Sequence, residues 1–120
     1  MVVTLTFPAT TENVRLARLV TAALAAQGGF GVDQVDDLRI AVDELCTLLV
    51  ANASPDAEVT TRFELNDGTL RLEAVTSTTT ERDVFSADEL TAHILMATVD
   101  RHEIRSNGSS LHVLLEKQRV

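Results

Sequence analysis

One cysteine, five glycines and two prolines in 120 residues exclude several classes of protein at once. The lone thiol, Cys46, cannot build an internal disulfide framework or a cysteine-rich zinc site, and it suits a reducing compartment. Seven Gly and Pro positions are too few for a disordered chain, and 45% hydrophobic against 23% charged residues describes one that folds. Cations are scarce as well: ten Lys and Arg face 18 Asp and Glu, for a net charge of -8. They are scattered, so a phosphate backbone meets mostly repulsion. No direct nucleic-acid partner is expected, whereas a partner protein with a basic face is favoured. No long apolar run occurs. The stretch near residues 19–26 is bounded by Arg18 and Gln27 and is much too short to span a bilayer, and "MVVTLTFPATTE" lacks the basic start and apolar run of a secretory signal. These absences imply a cytoplasmic protein with no membrane segment. The length implies a single domain, residues 1–120, with one core.

What is present is clear periodicity. "VVTLTF", residues 2–7, alternates as a first strand that Pro8 ends, and Thr10 or Thr11 can cap the helix that follows. Val14, Ala17, Leu19, Val20, Ala23 and Leu24 recur at helical spacing between Glu12 and Gln27, and Gly28, Gly29 and Gly31 close that helix. Asp33 is expected to cap the second helix, where Val35, Leu38, Ala41, Val42, Leu45, Leu48 and Leu49 form one broad stripe.

At "SPD", residues 54–56, the period changes to two. "EVTTRFEL" and "TLRLEAVT" flank Asn66-Asp67-Gly68 as a hairpin, and a polar loop "STTTERDVF" follows. Ser86 and Glu89 then form a capping box ahead of "LTAHILMATV". "RHEIRS" and "SLHVLLEK", joined at Asn107-Gly108, make a second hairpin. The order β-α-α-β-β-α-β-β predicts an α+β two-layer sandwich, a mixed, mostly antiparallel sheet with helices on one face. Val59, Phe63, Leu70, Leu72, Ile104, Leu111, Val113 and Leu115 are its expected inner face.

This order, together with "DLRIAVDELCTLLVANA" at residues 37–53, resembles the bacterial anti-sigma factors of the serine-kinase family. That family is a branch of the GHKL ATPase superfamily shared by gyrase, heat-shock chaperones and histidine kinases. Its second helix carries a Glu, which activates water or a substrate hydroxyl, and four residues later an Asn that binds the nucleotide's magnesium. A spacing of four puts both on one helical face. By this match Glu44 is the carboxylate, and the Asn position holds Leu48, whose alkyl side chain offers a hard cation no oxygen. Asn52 lies a further turn on, about 12 Å of axial rise from Glu44, and is expected to be a polar residue near the helix end. The family's adenine-binding Asp falls where this chain has Thr76 or Ser77, with none of the glycines that should follow. Its glycine-rich phosphate turn is also missing, because no glycine occurs between Gly68 and Gly108.

The resemblance therefore implies a degenerate, actinobacterial type of anti-sigma factor with no ATP or magnesium cofactor. Its partners are expected to be an alternative sigma factor and an anti-anti-sigma antagonist, with a homodimer formed around the first strand and helix. Glu44 is then a vestigial general base at the border of core and solvent, or a helix-flank carboxylate kept for solubility or a partner contact. The alternative is a weakly active serine protein kinase that uses ATP, with magnesium held by unusual ligands, to phosphorylate its antagonist with Glu44 as base. A third reading is a remnant ATPase fold used as a dimerisation or scaffold module. Arg15 and Arg18 share a face of the first helix, either to grip a partner or to pair with Glu12 and other local acids. Asp43 is expected to be solvated and Cys46 to be a small core residue. Asp33, Asp36 and Asp37 suit the start of a helix dipole. Across Asn107-Gly108, His112 would face Glu103 and His102 would face Val113. With His93 these histidines match no metal-site spacing, so no metal is expected.

Overall fold

Five segments alternate in polarity, and all five become strands of one sheet. The computed structural model describes residues 1–79 and 89–120. Its elements are β1 (Val2–Pro8), a 3-10 turn (Thr11–Asn13), α1 (Val14–Gln27), α2 (Val32–Asn52), β2 (Glu58–Asn66), β3 (Thr69–Ser77), α3 (Glu89–Thr98), β4 (Arg101–Asn107) and β5 (Ser110–Gln118). The predicted element order holds. The strands lie in the order β1-β2-β3-β5-β4, and each neighbouring pair is antiparallel, so the sheet contains no parallel pair. The capping box at Ser86 falls outside the described residues.

Strand alternation sends one side-chain set toward the helices and the other to solvent. Val59, Phe63, Leu70, Leu72, Leu111, Val113 and Leu115 are buried on the helix side, and Ile104 is partly buried there, as the period of two predicts. From the helices, Leu38, Ala41, Val42, Leu45, Cys46 and Leu49 of α2 and Val14, Ala17, Leu24 and Ala25 of α1 close over them. Each large apolar side chain fully buried in this layer contributes about 1.5–3 kcal/mol. Threonines also enter the core: Thr21, Thr61 and Thr98 donate their hydroxyls to the carbonyls of Ala17, Leu5 and Ile94. Among the described residues no buried side-chain nitrogen or oxygen lacks a hydrogen-bond partner, so these polar groups are not left costing a desolvation penalty.

The first hairpin turns on Asp67-Gly68, with φ of 50° and 76°. Two successive positive φ values are what a type I′ loop needs to match strand twist. The second turns one residue later than expected. Asn107 pairs with Ser110, leaving Gly108-Ser109 as the loop, and positive φ is needed at Gly108 alone (65°), the II′ pattern. His112 consequently faces Arg105, not Glu103, and His102 faces Leu115, not Val113. The two histidines are still not opposite one another.

Helix entry also differs from expectation. Thr10 precedes the 3-10 turn without a side-chain capping bond, and the Asn13 amide instead donates to the Pro8 carbonyl at 3.0 Å. Asp33 lies inside the first turn of α2, whose N-cap is Gly31; the Gln34 side chain folds back to accept the Gly31 N–H. Leu19, placed in the apolar stripe of α1, is 64% exposed, because the buried stripe is centred on Val14, Ala17, Thr21 and Leu24 on the other side of the helix. At the end of α3, Lys117 of β5 donates to the Thr98 carbonyl at 2.7 Å and lies 3.8 Å from Asp37 of α2, its side chain 12% exposed. Among the described residues no helix is long and apolar enough to cross a membrane.

Candidate functional site

The acidic pair on α2 divides between two neighbouring elements. Consecutive helical residues are turned by 100°, so Asp43 and Glu44 cannot point the same way. Asp43 reaches toward α1, where Arg18 donates to its Oδ1 at 2.9 Å, with both side chains about two-fifths exposed. Asp43 is thus ion-paired rather than solvated, a contact the sequence hides because its partner is 25 residues away. Arg18, Asp36, Arg39, Ile40 and Asp43 line a depression of 370 Å³ between α1 and α2. Of the two readings of the arginines, pairing with local acids holds for Arg18, whereas Arg15 forms no ion pair, with Glu12 or otherwise, among the described residues.

Glu44 points the other way, toward α3. It is half-buried, and its Oε2 accepts the hydroxyl of Thr91 at 3.1 Å. The carboxylate therefore meets a hydroxyl from its own chain, and Thr91 is a residue that sequence reasoning missed. The available signal was a threonine early in an otherwise apolar helix. One turn beyond Glu44, Leu48 is partly buried against the core, leaving only alkyl carbon at the position where the metal-binding Asn is expected. Asn52 is turned back on its own helix, its Nδ2 donating to the Leu48 carbonyl at 2.8 Å. It sits near the helix end, as expected, and does not substitute for the missing ligand.

The end of β3 closes beside this helix. Thr76 is buried and donates its hydroxyl to the Glu58 carbonyl at 2.9 Å, so its proton is already committed. Ser77 is exposed, and its carbonyl accepts the Ser54 N–H at 2.8 Å, while Ala53 and Thr78 form a β-bridge. The end of α2 is thereby tied to the end of β3. The donor set at these positions does not fit a magnesium nucleotide: Leu48 supplies no oxygen, the Asn52 amide is used within the helix, and a threonine hydroxyl replaces a carboxylate.

Cys46 is fully buried, and burial, with Asp43 nearby as a smaller cause, pushes its thiol up to about 12. It is a core residue with no nucleophilic character at neutral pH. Asp36 and Asp37, read as dipole partners, also lie near cations, 3.7 Å from Arg39 and 3.8 Å from Lys117. His93 is exposed on α3, His102 half-buried beneath β4, and His112 on the helix-free face of the sheet. Among the described residues no group of three His, Cys, Asp or Glu side chains could hold a metal ion.

Residues 7–113 match the model of the histidine kinase-like ATPase domain. The anti-sigma-F factor RsbW of Mycobacterium tuberculosis is 34% identical over 89 residues, covering 74% of this chain and 52% of the relative. The serine-protein kinase RsbW of Bacillus subtilis is 35% identical over 85 residues, covering 68% and 51%. The chain spans about half the length of these relatives. A crystal structure of the RsbU and RsbW domains of Rv1364c from Mycobacterium tuberculosis superposes with a TM-score of 0.75 over 99% of this chain and 32% of that one, at 17% identity, a likeness of fold. On these matches the chain belongs to the histidine kinase-like ATPase domain family and is a homologue of the RsbW proteins.

Proposed function

We propose that this protein is an anti-sigma factor: it binds an alternative RNA polymerase sigma factor, occludes surfaces that the sigma factor needs for core polymerase, and releases it to an anti-anti-sigma antagonist. Nucleotide binding is lost or weak. The observation that carries this reading is the state of α2, where Glu44 is held by Thr91 and the adjacent turn presents Leu48 in place of a ligand. A helix in this state serves the fold and not phosphoryl transfer, which leaves binding as the retained activity. The Mycobacterium tuberculosis relative, an anti-sigma-F factor, supplies the partner class.

The proposed gripping surface is the outer side of α1. Arg15 and Leu19 stand one turn apart and are both exposed, while Arg18 lies beside them at the rim of the α1–α2 depression. A guanidinium that forms no ion pair among the described residues, next to an exposed leucine, combines an orienting group with an apolar anchor. Self-association uses the neighbouring β1, an edge strand of seven residues without a charge, whereas the other edge, β4, carries Arg101, Glu103 and Arg105. Charged edges resist strand pairing and uncharged ones accept it.

Co-expression with the alternative sigma factors of the host is expected to yield a co-purifying pair whose affinity falls at least tenfold in the Arg15→Glu/Arg18→Glu variant. If none associates, the anti-sigma reading fails; unchanged affinity in the variant moves the gripping face elsewhere. The kinase alternative retains one point in its favour, that the Glu44 carboxylate is placed to accept a hydroxyl proton. Calorimetry with ATP and magnesium separates the two. Saturable micromolar binding that disappears in Glu44→Ala would overturn the binding-only reading.

A further inference from the structure

The helix-free face of the sheet carries a second concavity, unrelated to α2. Antiparallel register stacks its outward side chains in rows across the strands. One row runs Glu64, Arg71, Glu116, Arg101; the next Arg62, Glu73, Leu114, Glu103; the third Thr60, Val75, His112, Arg105. The first two rows are laced by ion pairs and hold three arginines against four glutamates. Arg62 meets Glu64 at 2.7 Å, Arg71 meets Glu73 at 2.6 Å and Glu116 at 3.2 Å, and Arg101 meets Glu103 at 2.7 Å and Glu116 at 3.5 Å. The third row has a cation and no carboxylate of its own. Arg105 forms no ion pair among the described residues, and His112 Nε2 lies 3.2 Å from the Ser110 hydroxyl.

Where the ion-paired rows meet the third, the face is hollow. The hollow has a volume of 270 Å³, with Val75 and Leu114 among its lining and Arg62, Arg71, Arg105, His112, Glu73 and Glu103 around them. Leu114 points away from the helices yet is 7% exposed. An apolar floor under long charged side chains, with one guanidinium outside every ion pair among the described residues, is a small amphipathic anion's complement.

We propose that this hollow binds a small organic monocarboxylate, its carboxylate on Arg105 beside His112 and its apolar body on Val75 and Leu114. Three features select this occupant. The planar fork of Arg105 matches a carboxylate in bidentate geometry. Glu73 and Glu103 border the same hollow, so a second negative charge on the ligand is repelled. The volume is just below the usual range of roughly 300–1,000 Å³ for drug-sized ligands, which limits the body to about ten non-hydrogen atoms. A second copy of the chain is a poorer occupant, because covering this face would strip water from all five ion-pair contacts in the first two rows.

The test is a titration followed by amide chemical shifts, with benzoate as the probe, benzyl alcohol as its neutral analogue and phenyl phosphate as its dianionic one. Benzoate is expected to give saturable shifts centred on Val75, Arg105, His112 and Leu114, with a Kd on the order of 0.1–1 mM for a ligand of this size. Benzyl alcohol, and benzoate on Arg105→Ala, are each expected to bind at least fivefold more weakly. Arg105 is exposed and forms no ion pair among the described residues, so the variant keeps the fold, which its remaining shifts verify. Val75→Glu, which places a carboxylate on the floor, is expected to abolish the response. Non-saturating shifts, shifts centred elsewhere, or equal affinity in Arg105→Ala overturn the site. Tighter binding of phenyl phosphate than of benzoate overturns the monoanion assignment.

Discussion

Deleting the Thr91 hydroxyl tests whether α3 is fastened to α2 through Glu44. Thr91→Val keeps the β-branched shape and removes the donor that sits 3.1 Å from Glu44 Oε2. A hydrogen bond to an ionised acceptor is worth about 1.5–3 kcal/mol, but both partners here are half-exposed and water recovers part of the loss, so about 1 kcal/mol is expected. For a chain of this length that lowers Tm by roughly 3–6 °C. The single substitution also disturbs whatever else Thr91 touches, so the decisive quantity is the coupling in a cycle with Glu44→Ala, expected at about 0.7–1 kcal/mol. Amide hydrogen exchange gives a second readout. In Thr91→Val the α3 amides should exchange about fivefold faster, the factor that 1 kcal/mol corresponds to, while the β2 and β3 amides keep their protection. A coupling below about 0.3 kcal/mol, or α3 exchange that does not change, refutes the fastening.

Leu45→Ala, at a fully buried position of α2, is expected to cost about 2–5 kcal/mol, measured by urea unfolding at unchanged slope. The Cys46 thiol should react with a thiol-exchange reagent no faster than the protein opens, and at the free rate once unfolded; fast labelling of the native protein would place it outside the core. Hydrogen bonds and charge attraction from Arg62 and Arg101 hold Glu64 and Glu103 below their ordinary carboxylate range. The stability they add is complete at neutral pH and is lost as the pH falls through those lowered values, so acid-side Tm curves should drop there and drop less at about 1 M salt. Gly68→Ala puts a β-carbon at φ 76° with the Arg119 guanidinium 3.4 Å away, and a loss of at least about 1 kcal/mol is expected in thermal unfolding.

The sheet and α2 were legible because their signals are short-range and redundant. A period of two over nine residues, two turn loops and a broad helical stripe each point to the same architecture. Leu19 was misplaced for a related reason. In an alanine-rich helix several small residues can be buried, so a stripe drawn through every apolar position is too wide. The second loop slipped by one residue because Asn-Gly and Gly-Ser both satisfy a two-residue hairpin, and β5 pairing with β3 decides between them. Site chemistry divides in the same way. The loss of an oxygen at Leu48 is written in the chain, whereas the partners of Asp43 and Glu44 are set by how α1 and α3 dock on α2, at separations of 25 and 47 residues.

Lys117 is the chain's one lysine, against nine arginines, and it is spent bridging the end of α3 to α2. Every other Lys or Arg side chain is therefore a guanidinium, a group that stays protonated at any physiological pH and is not a target of lysine acylation. Acylating enzymes and amine-directed cross-linkers meet no freely projecting lysine; neutralising this one would require prising its ammonium from the Thr98 carbonyl. Lysine acylation therefore leaves the arginine charges of the described surface unchanged.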